Sequence, residues 1–374
     1  MKTRFTSRRL LPAIGLVAML GATAAVAATA AALSSTTAQA SCKTLNLLTW
    51  EGYAEPDVVK PFEKKYGVTV KPTYVGTDAE LVAKGATQKG TYAIINVGSS
   101  TRARESAAGA IQPLDVSRLT HWKDIYAPLK PPYFLKGKLW GVPADWDVNP
   151  FVYDPTVLKK APTSYRVMWD PVLKNKVALW NEISLIFIGA NVLGMDKKRP
   201  ADAPGGVFNL NDKDLATIKA KMLTLKGQVR AMWSTGGDVI QLFANKEAAA
   251  APAWNYIYSQ LKLKKVPIAK ATLKSSGAVA WVDGPGIGAG ISSECKDMAY
   301  NWINWVTSPR MQAKLGSLTG YSVTNPKARA YMKPGEWAAF AQTSKAVKGA
   351  IVRLDPARPD VYQRITEEIV NGLS

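Results

Sequence analysis

Leu45-Asn46-Leu47-Leu48-Thr49-Trp50-Glu51-Gly52-Tyr53 is a largely apolar run that stops in an aromatic turn, and the segments on its C-terminal side decide the fold. The run predicts a first strand over 45–49. A helix comes next, from about Glu55 to Tyr66: Pro56 suits a first turn, Val58, Val59 and Phe62 form one apolar face, and Gly67 ends it. Residues 68–75 alternate apolar and polar around β-branched side chains, as a strand does. Then come a helix near 78–88 and a short strand, Ile94-Ile95-Asn96-Val97, ending in Gly98-Ser99-Ser100-Thr101. Alternating strand and helix implies an α/β protein with a mainly parallel sheet covered on both faces. Ligands bind such sheets beyond the carboxyl ends of the strands. Topology alone therefore nominates two binding loops, Trp50–Tyr53 and Gly98–Thr101.

Farther along, Trp140-Gly141-Val142-Pro143 leads through Asp145-Trp146-Asp147 to Val152-Tyr153-Asp154, an extended stretch that reads as a crossing between two lobes. A strand at 177–179 runs into Trp180-Asn181-Glu182 and an apolar helix that Gly194 ends. Residues 196–211 read as a surface loop, 212–226 as a helix, 230–233 as a short segment and 248–254 as a strand. Residues 278–283 read as the return crossing, and 296–306 as a helix with Met298, Trp302, Ile303 and Trp305 on adjacent rows. Two paired crossings predict lobes discontinuous in sequence, 43–147 with 277–325 in one and 148–276 in the other. At 374 residues the chain is long enough for one large core or two medium ones.

The N-terminus bears on compartment. Lys2, Arg4, Arg8 and Arg9 precede an Ala-rich apolar stretch from Leu10 to Leu33 and a small-x-small site, Ala38-Gln39-Ala40, before Ser41. That is the layout of a secretory signal peptide over 1–40. Ala25-Val26-Ala27 offers an alternative, earlier cleavage site, and an uncleaved anchor is the alternative reading. The Arg8-Arg9 pair loosely resembles a twin-arginine signal. Cys42 would suit a lipoprotein, but Gln39 stands where an aliphatic residue is expected. Only two cysteines exist, Cys42 and Cys295. In an oxidising compartment two otherwise unmatched thiols are most simply a disulfide.

The formal charge is +20, of which residues 1–40 carry four and no acids, leaving +16. The lysines are scattered, with no basic block interleaved with stacking aromatics, so nucleic acid is not an expected partner. His121 is the sole histidine, beside a Pro-rich loop, which disfavours a catalytic triad and a nitrogen-and-sulfur metal site. Gly284-Pro285-Gly286-Ile287-Gly288 lacks the lysine of a phosphate loop and fits a returning chain better. Asp145 and Asp147 share one face of an extended stretch and do not bracket a bond as a glycosidase pair would. Binding is favoured over catalysis; no metal and no cofactor are expected.

At this point the residues resemble a known group, the periplasmic solute-binding proteins of polyamine-type (spermidine/putrescine) ABC transporters. The resemblance runs over nearly all of 43–325. It is carried by Leu47 to Tyr53, by Gly109-Ala110-Ile111-Gln112-Pro113-Leu114 and by Trp140-Gly141-Val142-Pro143. Trp281-Val282-Asp283, Asn301-Trp302-Ile303-Asn304-Trp305 and Gly320-Tyr321-Ser322-Val323-Thr324-Asn325 continue it. It implies a type II periplasmic-binding fold of two α/β lobes with a ligand cleft between them, and places 326–374 in the second lobe. It also implies a monomeric periplasmic receptor that delivers a small molecule, an amine, to a membrane permease.

Carried over, Trp50 and Tyr53 look like the first lobe's ligand-sandwiching aromatics and Trp254 like the second lobe's. Trp281 and Asp283 resemble an aromatic-carboxylate pair that holds an ammonium, and Tyr321 another cleft residue. Ser99 and Ser100 belong to the second binding loop, and Glu182 would supply a second acid. The pattern also departs from the family's: Ala93 stands where a carboxylate is common, Ser100 or Thr101 where an aromatic is, and Ser184 where an acid is expected. A diamine needs an anionic partner at each end, so these losses favour a smaller or singly charged amine, or one carrying its own carboxylate. The surplus of lysine and arginine leaves an anionic solute open, and a secreted α/β hydrolase is the alternative from another class.

Overall fold

Leu45, Leu47 and Leu48 are buried because β1 (Thr44–Thr49) is flanked on both sides, pairing in parallel with β2 (Thr69–Tyr74) and β3 (Ile94–Gly98). The computed structural model describes residues 42–198, 200–271, 273, 279–340 and 351–374; the expected signal segment and residues 274–278 lie outside them. Between those strands run α1 (Pro56–Tyr66), which buries Val58, Val59 and Phe62 and ends on Gly67 in the left-handed conformation, and α2 (Asp78–Thr87), whose Thr77 cap accepts from Glu80 N–H. Beyond β3 comes α3 (Arg102–Ala107).

β13 (Val279–Gly288) lies antiparallel between β3 and β7 (Asp145–Val148), and β14 (Ser322–Val323) completes that edge. Two short strands, β4 (Ile111–Gln112) and β15 (Ile351–Val352), add to β13, giving an eight-stranded sheet; β5 (Phe134–Leu135) and β6 (Lys138–Leu139) form a separate hairpin. The glycine-rich run at 284–288 is strand interior and not a turn. A Cβ on Gly284 would fall 1.8 Å from the Val142 carbonyl oxygen and one on Gly288 2.0 Å from that of Tyr92, so only glycine lets the backbones approach so closely.

After β7 the chain passes directly into β8 (Phe151–Tyr153) of a second sheet. There the order is β10 (Val229–Trp233), β9 (Val177–Trp180), β11 (Ala250–Pro252), β8, β12 (Ala269–Ala271). It carries α4 (Ser184–Leu193), α5 (Asp212–Leu223), α6 (Gly236–Ala244) and α7 (Asn255–Leu263). Each sheet has its own core, one including Leu45, Phe62, Val97 and Trp146, the other Phe151, Met168, Phe208 and Ile218. Trp302 belongs to the first, its ring edge-on to Phe62 at 5.0 Å.

The C-terminal stretch does not go to the second lobe as a block. Residues Pro326–Tyr331 and α10 (Pro334–Phe340) pack on α9 (Pro309–Thr319) of the first lobe, and β15 joins β13. Among the described residues of this stretch it is the last helix, Pro359–Leu373, that packs against α5 and α4, burying Tyr362, Ile365 and Ile369. The resemblance could not place the division, because it depends on which sheet edge stays open to a two-residue strand. Cys42, ahead of β1, is bonded to Cys295 in the first turn of α8 (Ser293–Val306), with Cα atoms 4.9 Å apart.

Candidate functional site

Register builds the floor of the site. β13 and β7 pair so that Asp283 faces Asp145 and Trp281 faces Asp147. Directly opposed residues of an antiparallel pair project to the same side, so two carboxylates stand together. Asp145 is buried and accepts a hydrogen bond from the Tyr53 hydroxyl at 2.8 Å. Asp283 is enclosed by protein, and what surface it keeps lines a cavity. Burial pushes the Asp283 carboxyl up to about 8, with Asp78 adding to the rise and Arg353 and Asn96 opposing it. Burial also raises Asp145 well above the ordinary carboxylate range, and the charge of Asp283 raises it further. Asp147 reaches about 6 through burial, against the pull of the Val148 N–H and Lys270.

Aromatic rings wall the cavity. Trp50 and Tyr53 come from the turn that β1 feeds, and Tyr321 from the loop after α9. Tyr321 lies edge-on to Trp281 at 4.8 Å and 6.1 Å from Tyr53. The facing wall belongs to the second lobe: Trp180 ends β9 and Trp254 precedes α7, their rings 5.0 Å apart and perpendicular. Trp233 stacks on Trp180 at 5.5 Å and supports it.

The lobes are shut in this structure. Trp180 Nε1 donates to the Gly76 carbonyl at 3.0 Å, Asn255 Nδ2 to Asp147 Oδ2 at 2.8 Å, and Gly237 N–H to Glu51 Oε2 at 3.1 Å. The cavity between them measures about 40 Å³, room for a few waters, and adjoins a second of about 70 Å³ lined by Phe187, Ile188 and Trp233.

Arg353, just past β15, also lines the cavity. Its Nη2 donates to Glu182 Oε2 at 2.7 Å and to Asp78 Oδ2 at 3.0 Å, joining the second lobe to the first. Burial works against the guanidinium's charge, but Glu182 and Asp78 more than offset it, and the net shift is upward. Asp78 also takes a hydrogen bond from Ser100 Oγ at 3.1 Å.

Of the residues nominated from sequence, Trp50, Tyr53, Ser100, Trp254, Trp281, Asp283 and Tyr321 line this one cavity. Ser99 is buried outside the lining, its Oγ without a hydrogen-bond partner among the described residues. Glu182, expected to offer its charge to a ligand, offers it to Arg353. Sequence reasoning missed Asp78, Asn149, Trp180 and Arg353 as lining residues and Asp145 as a partner to Asp283. Asp78 opens a helix just beyond a strand and was findable by the rule that nominated Trp50. No local signal marks Arg353.

A family model described as bacterial extracellular solute-binding protein matches residues 57–357. The chain is 27% identical to the putrescine-binding periplasmic protein PotF of Escherichia coli, over 78% of this chain and 80% of that protein. It is 25% identical to the spermidine/putrescine-binding periplasmic protein 1 of Haemophilus influenzae, over 79% of each. Among solved structures, a putative spermidine/putrescine ABC transporter protein from Listeria monocytogenes superimposes with a TM-score of 0.74 at 18% identity, covering 87% of this chain and 98% of that one.

Proposed function

The chain belongs to the bacterial extracellular solute-binding proteins, a family of binders and not of catalysts, and from that premise we propose that it captures a small cationic nitrogen compound and delivers it to an ABC importer. One observation carries this reading: two enclosed carboxylates, Asp283 and Asp145, stand side by side in strand register beneath Trp50, Tyr53, Trp281 and Tyr321. An ammonium gains about 0.5 to 2 kcal/mol over an aromatic face, and a carboxylate adds a charge-assisted hydrogen bond. An anion offers nothing that would draw the proton from Asp283, and it meets a negative charge wherever that carboxyl ionises. The names of the curated relatives, binders of putrescine and spermidine, point the same way.

In this reading the ligand bridges both lobes and shifts an open-closed equilibrium toward the closed form, which a membrane permease recognises. The receptor works as a monomer in the periplasm, exported by the segment over 1–40. Tryptophan fluorescence during titration with amines and with dicarboxylates tests the assignment. An amine should bind, and Asp283→Asn should weaken it by roughly 2 to 5 kcal/mol. A response to dicarboxylates alone, or unchanged amine affinity in Asp283→Asn, would sink it.

A further inference from the structure

The cavity lining already contains a cation, Arg353. Arg353 is fixed by its backbone: Val352 pairs with Ala280, and Arg353 N–H donates to the Ala280 carbonyl at 2.7 Å. Asp78 and Glu182 are both within 3.0 Å of its Nη2. Asp78 is shared with a second guanidinium, Arg104 at 3.5 Å, which Asp355 holds at 2.7 Å. The charge of both acids is already engaged by guanidinium groups, and a ligand's second ammonium would have to compete for it. Among the described residues neither Asp283 nor Asp145 is in an ion pair, and Asp145 takes its side-chain hydrogen bond from a neutral group, the Tyr53 hydroxyl. Two carboxylates this close do not both ionise readily, so together they match about one positive charge.

The adjoining cavity says what the rest of the ligand is like. It is lined by Phe187, Ile188, Trp233, Leu273 and Val279, and it shares Trp180, Trp254 and Arg353 with the first. The acid in that lining, Asp196, accepts from Asn191 Nδ2 at 2.6 Å and has partners of its own. We propose that Arg353 is a specificity-determining residue that limits this site to a monocation, one ammonium at Asp283 with a short uncharged tail pointing into the apolar cavity. A second ammonium would meet the guanidinium as a like charge. A carboxylate tail would meet Asp78 and Glu182 beside it.

This rests on the reading that an amine occupies the cleft, and its test separates the two. Butylamine, putrescine and 4-aminobutyrate share one four-carbon chain and differ only at the far end. Calorimetric titration of the full protein should rank butylamine above the other two by about tenfold or more, since like-charge contact in a closed interface is costly. In Arg353→Met, putrescine should gain at least about tenfold on butylamine, because Asp78 and Glu182 become free to pair with the second ammonium. Putrescine or 4-aminobutyrate binding the wild type as tightly as butylamine overturns the inference and leaves the amine reading standing. Failure of all amines, with binding of dicarboxylates, overturns both. If Arg353→Met does not fold, the wild-type ranking decides alone.

Discussion

Asp283 illustrates how a single carboxylate couples ligand to protons. Its pKa of about 8 comes from enclosure first and the charge of Asp78 second, with Arg353 opposing and Asp145 facing it across the strands. A cation requires the ionised form, so binding below pH 8 must release a proton. Amine affinity should therefore rise from pH 6 to about 8, by up to about tenfold per unit for one proton, and level off above, while the amine itself stays protonated. Stability of the protein without ligand runs the other way. The folded value lies above the ordinary 3.8, so this group's contribution is fully present below that value and lost as pH rises through about 8. The thermal shift produced by ligand should grow across the same interval. Flat affinity from pH 6 to 8 would show that Asp283 does not hold the cation.

At the scale of elements, closure depends on how nearly the loop after β2 can approach the loop after β10. A Cβ on Gly76 would lie 2.4 Å from the Ser234 carbonyl oxygen and 2.9 Å from its carbon, both backbone atoms that cannot swing aside. Gly76→Ala should cost the closed form about 1 to 3 kcal/mol while leaving each lobe's core intact. Ligand affinity should fall accordingly, and small-angle scattering of the saturated variant should report a larger radius of gyration. Unchanged affinity would show that this close approach does not control closure. These elements were largely legible beforehand. The helix over Pro56–Tyr66 and the strand over Thr69–Tyr74 follow from local period, capping and glycine placement. The run at 284–288 was not, because glycine in a strand looks like a turn until the crowding backbone is known.

Across the whole molecule, the Cys42–Cys295 bridge closes a loop of 253 residues that spans both lobes. Restricting so long a loop in the unfolded chain contributes up to about 5 kcal/mol in the chain-entropy account. Replacing both cysteines by serine should lower the denaturation midpoint substantially. Amine affinity should change little, since Cys42 precedes β1 and Trp50 lies just past its other end. A denaturant titration with a ligand titration alongside checks both halves; a midpoint that does not move would remove the bridge from the stability account.

By itself, the sequence determined what local periodicity and residue chemistry can carry: an α/β chain, aromatic loops at strand ends, two cysteines suited to one bond, and no constellation for catalysis. Strand-end placement is a rule of topology, so Trp50, Tyr53 and the Asp283 strand could be nominated from it. Only the tertiary structure decided the charge of the site. Arg353 meets Asp78 from 275 residues away and Glu182 from 171, and neither separation leaves a trace in a local pattern. Whether an acid is free for a ligand depends on what the fold has already set against it, and Coulomb energy is a function of distance in space, not along the chain.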